Sequence, residues 1–471
     1  MPHTRARVVV IATARPTFAV DEAAKRADQA RTLLADLGAD VHGPSDLVMT
    51  ADDVEQAAGH LDGQTDLVVN VCASFSDASP ALRLYVDTRA PVLLWAFREP
   101  GPVGDRLWLN SLCGANLFGH AVVQSGGSVR LLYGDPGEPA VEQVLRDALA
   151  GQLPTVPPLP TTRGVRAAER TAHQALDRLR GRRIGALGDA PAGFTPCDYD
   201  ADLVRDLFGV EVERLDLDDA FTRTEAVDPD DRDAERSAAC DARPSLRELD
   251  ADEVTNAAAV TTALRTWTSD DRLDALAVRC WPEFPTELGV CPCSSLSRLA
   301  DEGTVTACER DVYGALTMLL LEAAGAGTTY LVDTVDLDAD RNVIRAWHCG
   351  SAATALAADP ANATQYVHCN RRIGVAGNFP LRTGDVVLAR LTDDPEHPGG
   401  LRLLLASGES VPEPNRFQGN TAAVRLDTEA EPFVHGLVTG GFPHHTVLAW
   451  TDVRPQLRTI ADLRGIPVVE W

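Results

Sequence analysis

Residues 6–43 read ARVVVIATARPTFAVDEAAKRADQARTLLADLGADVHG, and the order of their parts decides the fold class. The run ARVVVIAT predicts a buried strand, dense in β-branched and small apolar side chains. DEAAKRADQARTLLADLG then carries its apolar residues at helical spacing, with Asp21 at the start as a plausible cap and Gly38 as the stop. ADVHG returns to a short strand. Working outward, a helix follows at ADDVEQAAGHL (51–61) and strands at DLVVNV (66–71) and PVLLW (91–95). Alternating strands and helices predict a parallel sheet with helices on both faces.

The proline-rich stretch GQLPTVPPLPTTRG (151–164) lacks periodicity and reads as a linker or domain edge. A second series opens at GRRIGALGD (181–189) and runs through DYDADLVRDLFGVEVERLDL, the strand LDALAVRC, the apolar helix ERDVYGALTMLLLEAAG and the strand TTYLVD. Between them EAVDPDDRDAERSAACDARPSLRELDADE (225–253) is a solvated loop or exposed helix, since a charge run of this kind is usually surface. From about residue 352 the texture changes. GDVVLARL, LRLLLASGES, TAAVRLD and HTVLAWTD are short alternating runs separated by Gly, Pro and Asp, the pattern of an antiparallel barrel or sandwich. The expected architecture is α/β, with two doubly wound parallel-sheet domains over residues 1–160 and 161–351 and a smaller, antiparallel β-barrel-like domain over 352–471.

Composition narrows the function. The 471 residues carry a formal net charge of −26, which argues against nucleic acid or an anionic membrane surface as the main partner. No apolar run approaches the roughly 20 residues a membrane span needs. The N-terminus lacks a small-residue cleavage site, and its one apolar run reads as a strand, so a cytoplasmic enzyme is expected. Ten scattered cysteines suit reduced thiols rather than a disulfide scaffold. Lys25 is the only lysine and lies in a helical run, so no Walker A loop is present. No G-x-G-x-x-G follows the first strand and no G-x-S-x-G elbow occurs. Cys291-Pro-Cys293 lacks the spacing of a zinc site and has no second pair.

In open α/β sheets, ligands bind beyond the carboxyl ends of the strands. Those ends supply Arg279, Trp281 and Glu283 in RCWPEF, Glu309 in TACERD, Asp333 in YLVDTVD, and His348 in AWHCG. Two carboxylates and an imidazole form an oxygen-rich set that suits Mn²⁺ or Mg²⁺ better than a thiolate site would. Each has a plainer reading. Glu309 could complement a helix dipole, Asp333 could cap a turn, and His348 could be a hydrogen-bonded core residue. In TGGFPHHTVLAW, strand alternation would point one of His444 and His445 inward and the other out.

Order and surroundings add a resemblance. ACERDVYGALTMLLL, LVDTVDLD, WHCG and GGFPHHT, in that order, resemble the L-fucose isomerase and L-arabinose isomerase group. ARPT after the first strand, PVLLWAFREP with NSLCG, GFTPCDYD, PLRTGDVVLARL and LRLLLASGE agree with the fucose-isomerase-like branch, so the resemblance covers nearly the whole chain. It implies a divalent ion, Mn²⁺ (or Mg²⁺ or Co²⁺), held by Glu309, Asp333 and His445, with the two carboxylates as acid and base. His348 stands where a further ligand or substrate contact lies. Arg15 looks like a residue that reaches a neighbouring subunit's site in a trimer-based homo-oligomer, a trimer or hexamer. Asn110, Trp281, Glu283 and His444 are the remaining candidate substrate contacts. His444 departs from the fucose-isomerase pattern, which has Asn there, and matches the arabinose one. The implied reaction is aldose–ketose isomerisation through a cis-enediolate, on a pentose or 6-deoxyhexose such as L-fucose, D-arabinose or L-arabinose. Two alternatives stay open: metal-dependent chemistry of the same fold on a modified sugar or a non-sugar, and a non-catalytic sugar-binding protein.

Overall fold

The structure is a computed structural model that describes residues 5–162 and 167–471; the last two residues of the proline-rich stretch, 163 and 164, lie outside the described residues. The N-terminal alternation folds into a five-stranded parallel sheet of β1 (Arg7–Thr13), β2 (Asp40–His42), β3 (Leu67–Cys72), β4 (Val92–Ala96) and β5 (Val129–Tyr133), in the order β2-β1-β3-β4-β5. The strand order reverses between β1 and β3, and the loops after these two strands meet: the Arg15 N–H donates to Ser74 Oγ at 3.0 Å. The first helix, Val20–Asp36, buries Ala23, Ala27, Ala30 and Leu34 on this sheet, one stripe at the three- and four-residue spacing the sequence carries. Asp21 lies inside its first turn rather than at the cap, and Gly38 follows its end at φ 92, a conformation that favours glycine.

A second parallel sheet joins the strands Val305–Cys308, Ala275–Val278, Arg183–Leu187 and Glu211–Leu215, in that spatial order. Its order reverses between Arg183–Leu187 and Ala275–Val278, so it too has a crevice beyond its strand ends. Part of the acidic stretch forms a helix, Pro229–Ala242, most of whose residues face solvent.

The third body is a closed antiparallel barrel. The strands Tyr330–Asp338, Val343–His348, Asn420–Leu426, Leu401–Val411, Gly384–Asp393 and His445–Ala449 pair in a ring, and the pairing of Leu401–Val411 with Asn420–Leu426 closes it. The C-terminal texture change marks four of its six strands. The other two lie earlier: Tyr330–Asp338, grouped by its sequence with the second α/β series, pairs with Val343–His348 and His445–Ala449 and not with the parallel sheet. Alternation is weak there because Tyr330–Leu337 is buried throughout, so the run cannot be told from a parallel-sheet strand by its pattern. The end of the proline-rich stretch is also structured, with Thr161–Thr162 pairing against Val468 and Val469.

The helix Val312–Ala324 explains why the second sheet and the barrel pack as one. It is apolar nearly all round, from Val312 through Leu321, and its buried residues share one cluster with Ile184 and Ala277 of the second sheet and Leu403 and Val447 of the barrel. A helix without a polar face must be covered on every side. No helix among the described residues is long and apolar enough to cross a membrane.

Candidate active site

The carboxyl ends of both parallel sheets and one end of the barrel open into a single pocket. From the first sheet come Arg15 after β1, Phe75 after β3 and Asn110 beyond β4; from the second come Phe194, Trp281 and Glu309. The barrel and its loops add Asp333, His348, His368, Arg371 and His444. Both crevices made by reversals of strand order therefore contribute, which is where ligands bind in open α/β sheets.

Asp333 and His445 meet because they are direct partners in the antiparallel pairing of Tyr330–Asp338 with His445–Ala449. Opposed residues on antiparallel strands point to the same face, and His445 Nε2 lies 3.3 Å from Asp333 Oδ1. A bulge follows at Thr334–Asp336 and alters the register just beyond the site. Glu309 reaches the same point from the second sheet, its Oε2 at 3.4 Å from both His445 Nε2 and His444 Nε2. It is not in the helix that follows, whose cap is Asp311; Glu309 holds φ 59 between strand and helix. A left-handed glutamate is strained by about 1–2 kcal/mol. Asn110, at φ 50, is the other pocket residue in that conformation.

Alternation does not separate the two histidines. His444 precedes the strand, which begins at His445, so the two-residue period does not govern it, and both imidazoles reach Glu309.

Sequence reasoning missed the group that fixes His445. Its Nδ1–H donates to Asp311 Oδ2 at 2.8 Å, and Asp311, wholly buried, also accepts a forked pair of bonds from Arg390, one of 2.9 Å from Nη2. A carboxylate behind an imidazole fixes its tautomer and turns Nε2 toward a ligand. One signal was available: Arg390 sits inside the apolar run GDVVLARL, where a charge needs a buried partner.

The electrostatics reflect this crowding. Burial, joined by the nearby Glu309 charge, pushes the Asp333 carboxyl up to about 7 against the pull of His445. Burial would also raise Glu309, but the hydrogen bond with His444 and the close His445 imidazole outweigh it and hold that carboxyl well below the usual range. Burial alone would depress His445; its hydrogen bond to Asp311 and the close Glu309 and Asp333 carboxylates lift it instead to about 10. Burial and the neighbouring His445 lower His444 to about 4 and His348 to about 3.

The donor set fits a divalent cation. His445 Nε2, Asp333 Oδ1 and His348 Nε2 are each buried with no hydrogen-bond partner among the described residues. Ligand atoms of Asp333, His348 and His445, and of Glu309, His444 and His445, lie within 4.8 Å of one another. Converging, unsatisfied N and O donors are costly unless something positive sits among them. Carboxylate and imidazole donors suit Mn²⁺ or a similar ion rather than a thiolate-selective one.

No protein-family model matches the chain. It is 34% identical over 465 residues to a sulfoquinovose isomerase of Alkalicoccus urumqiensis, covering 98% of this chain and 99% of the relative. A sulfoquinovose isomerase of Priestia aryabhattai is 30% identical over 455 residues, 96% of each chain. The one from Clostridium sp. (strain MSTE9) is 28% identical over 451 residues, 95% of each. The chain belongs to the sulfoquinovose isomerase family. It is an isomerase that interconverts an aldose and a ketose. The names of these sulfoquinovose isomerases specify a modified sugar, which favours the modified-sugar alternative over L-fucose, D-arabinose or L-arabinose.

Of the residues singled out from sequence, Glu309, Asp333, His348, His444, Arg15, Asn110 and Trp281 all line this pocket, and His445 lies behind it with Nε2 turned toward the carboxylates. Arg15 lines the pocket of its own chain. Glu283 does not line it. That carboxylate pairs with Arg279 at 2.5 Å and faces a separate depression beside Asp189 and Arg214.

Proposed function

We propose that the protein isomerises sulfoquinovose, 6-deoxy-6-sulfoglucose, to the corresponding 2-ketose, with Glu309, Asp333, His445 and His348 holding an Mn²⁺-like ion. The observation that carries this reading is the convergence of unsatisfied donors on one point of a pocket shared by all three bodies of the fold. The family's fold-level kinship with the fucose and arabinose isomerases, and a trimer-based assembly, belong to the same proposal and rest on the sequence motifs.

The reaction moves one proton between C2 and C1 and another between O1 and O2. When bound, the cation supplies Lewis acidity that makes the C2 proton acidic enough for a carboxylate to take. Glu309 and Asp333 are the carboxylates placed to move these protons. Trp281 Nε1–H donates to Glu309 Oε1 at 3.3 Å and fixes its orientation. Asp311 and Arg390 hold His445 from behind. Phe75 and Phe194 pack against the His444 ring, with centroids 6.2 and 5.7 Å away, and exclude water from that side.

The test is ketose formation from sulfoquinovose followed by NMR, with Mn²⁺, after EDTA, and after Mn²⁺ is returned. Turnover that EDTA removes and Mn²⁺ restores is the expected result. Turnover indifferent to EDTA would remove the metal from the reading, and no turnover by the metal-loaded protein would remove the substrate.

A further inference from the structure

Two guanidinium groups of the pocket lack the carboxylate partners that many arginines elsewhere in the chain have. Acidic residues outnumber basic ones by 69 to 43, and Arg98, Arg279 and Arg345 are paired with Glu138, Glu283, and Asp336 and Glu413. The Arg15 and Arg371 side chains make no hydrogen bond and have no carboxylate within ion-pair distance among the described residues. Both lie over the Trp281 ring, with Cζ at 4.4 and 5.2 Å from its centroid. Each is partly buried: burial weakens Arg15's hold on its proton, the charge of Asp77 offsets this in part, and the smaller repulsion from Arg371 adds to it. Asn370 Oδ1 is buried without a partner among the described residues, and Asn370 and His368 line the same pocket.

Placing two desolvated like charges together costs free energy unless an anion joins them. Trp281 sets where that anion would lie. Its ring lies under both guanidiniums and its Nε1 touches Glu309, so one indole is in contact with the cations and with a carboxylate. Five C–C bonds of about 1.5 Å span roughly 6 Å when extended, a comparable reach. The pocket thus holds both the carboxylates and two cations, with Trp281 in contact with Glu309 and with both arginines.

We infer that Arg15 and Arg371 form the subsite for the sulfonate at C6 of the sugar, with Trp281 as the spacer between it and the reacting carbons. The inference rests on the proposed isomerase reading and names its specificity determinants. A sulfonate presents three acceptor oxygens, which suit the fixed donor fork of arginine better than the point charge of lysine. A sugar with only hydrogen at C6 would leave both cations unpaired, which is how a polar site rejects such an analogue.

The test separates the subsite from the chemistry by using a ligand that cannot react. Borohydride reduction of sulfoquinovose gives a sulfonated alditol with no carbonyl, and 6-deoxyglucitol is its sulfonate-free counterpart. Binding of both is measured calorimetrically to the full chain, with Mn²⁺ and after EDTA, for wild type, Arg15→Gln and Arg371→Gln, with Arg371→Lys as a charge-keeping control and thermal melts to confirm folding. Wild type should prefer the sulfonated alditol by about a hundredfold, each Gln variant should lose about tenfold or more of that preference, and Arg371→Lys should fall between. EDTA should weaken both alditols and leave their ratio. Absence of the preference in wild type, or an equal preference in both folded Gln variants, overturns the inference. A preference that follows the arginines in a protein that does not turn over sulfoquinovose keeps the subsite and sinks the proposed reaction on sulfoquinovose instead.

Discussion

Glu309 and Asp311 are two residues apart and do different work, so their variants should fail differently. In the proposed mechanism Glu309 moves a proton, and Glu309→Gln keeps its size and its contact with Trp281. Its turnover should fall about 10³-fold or more while its thermal midpoint stays near wild type. Near-wild-type turnover would remove Glu309 from the chemistry. Asp311 reaches no substrate; it orients His445 and neutralises Arg390 in a place from which water is excluded. Asp311→Asn should weaken Mn²⁺ binding by about 10- to 100-fold. It should also cost about 3–5 kcal/mol of stability, because Arg390 is left as an unpaired buried charge. Calorimetric metal titration and denaturant unfolding read the two effects separately, and intact metal affinity would show that Asp311 serves the fold alone.

The element that links these residues is the helix Val312–Ala324. Asp311 caps it by accepting from the Gly314 N–H at 2.8 Å, and at Gly314 an added Cβ would stand 2.6 Å from Asp311 Oδ2 and 2.9 Å from Leu331 Cδ1. Gly314→Ala would gain about 1 kcal/mol of helix propensity. Overpacking against a carboxylate clamped by Arg390 and His445 costs about 1–3 kcal/mol, so a net loss of stability and a weakened metal site are expected. An unfolding midpoint above wild type would show that Asp311 can move aside. This helix was legible in the sequence, as were the parallel units, because buried strands and amphipathic or apolar helices carry strong local signals. Barrel closure was not. It depends on Tyr330–Asp338 crossing from the second series into another sheet, and a strand buried along nearly all its length does not declare its partners. The site followed the same division. That Glu309, Asp333 and His445 would come together was legible through motif order, whereas the Asp311–Arg390 pair joins positions 79 residues apart. Arg371 lies in a loop without local pattern, and nothing in the spacing of Glu283 told that Arg279 already held it.

At the scale of the whole molecule, the candidate metal site draws ligands from a parallel sheet and from the barrel, so metal binding and global stability are coupled. The metal-free protein sets the sign of the pH dependence. Asp333 titrates at about 7 against an ordinary 3.8, and His445 at about 10 against 6.5. Both folded values are raised. Each group therefore contributes stability that is complete below its unfolded value and lost as pH rises through its folded value. Asp333 acts in this sense from about pH 4 to 7 and His445 above about pH 6.5, at no more than about 1.4 kcal/mol per pH unit for each group, while the depressed His444 and His348 act in the opposite sense below about pH 6.5. Glu309 is depressed, so its contribution is already complete above pH 5 and adds no slope there. A bound cation reverses the first two preferences, since it favours ionised Asp333 and neutral His445. Ligand at 100 times its dissociation constant stabilises by about 2.7 kcal/mol. The rise in thermal midpoint on adding Mn²⁺ to EDTA-stripped protein should consequently grow steadily from pH 5 to pH 8, as protons that compete for the site are withdrawn. Scanning calorimetry of stripped and reloaded protein at four or five pH values measures this directly. A rise of the same size at every pH would mean that neither Asp333 nor His445 gives up a proton when the cation binds, and both would leave the ligand set.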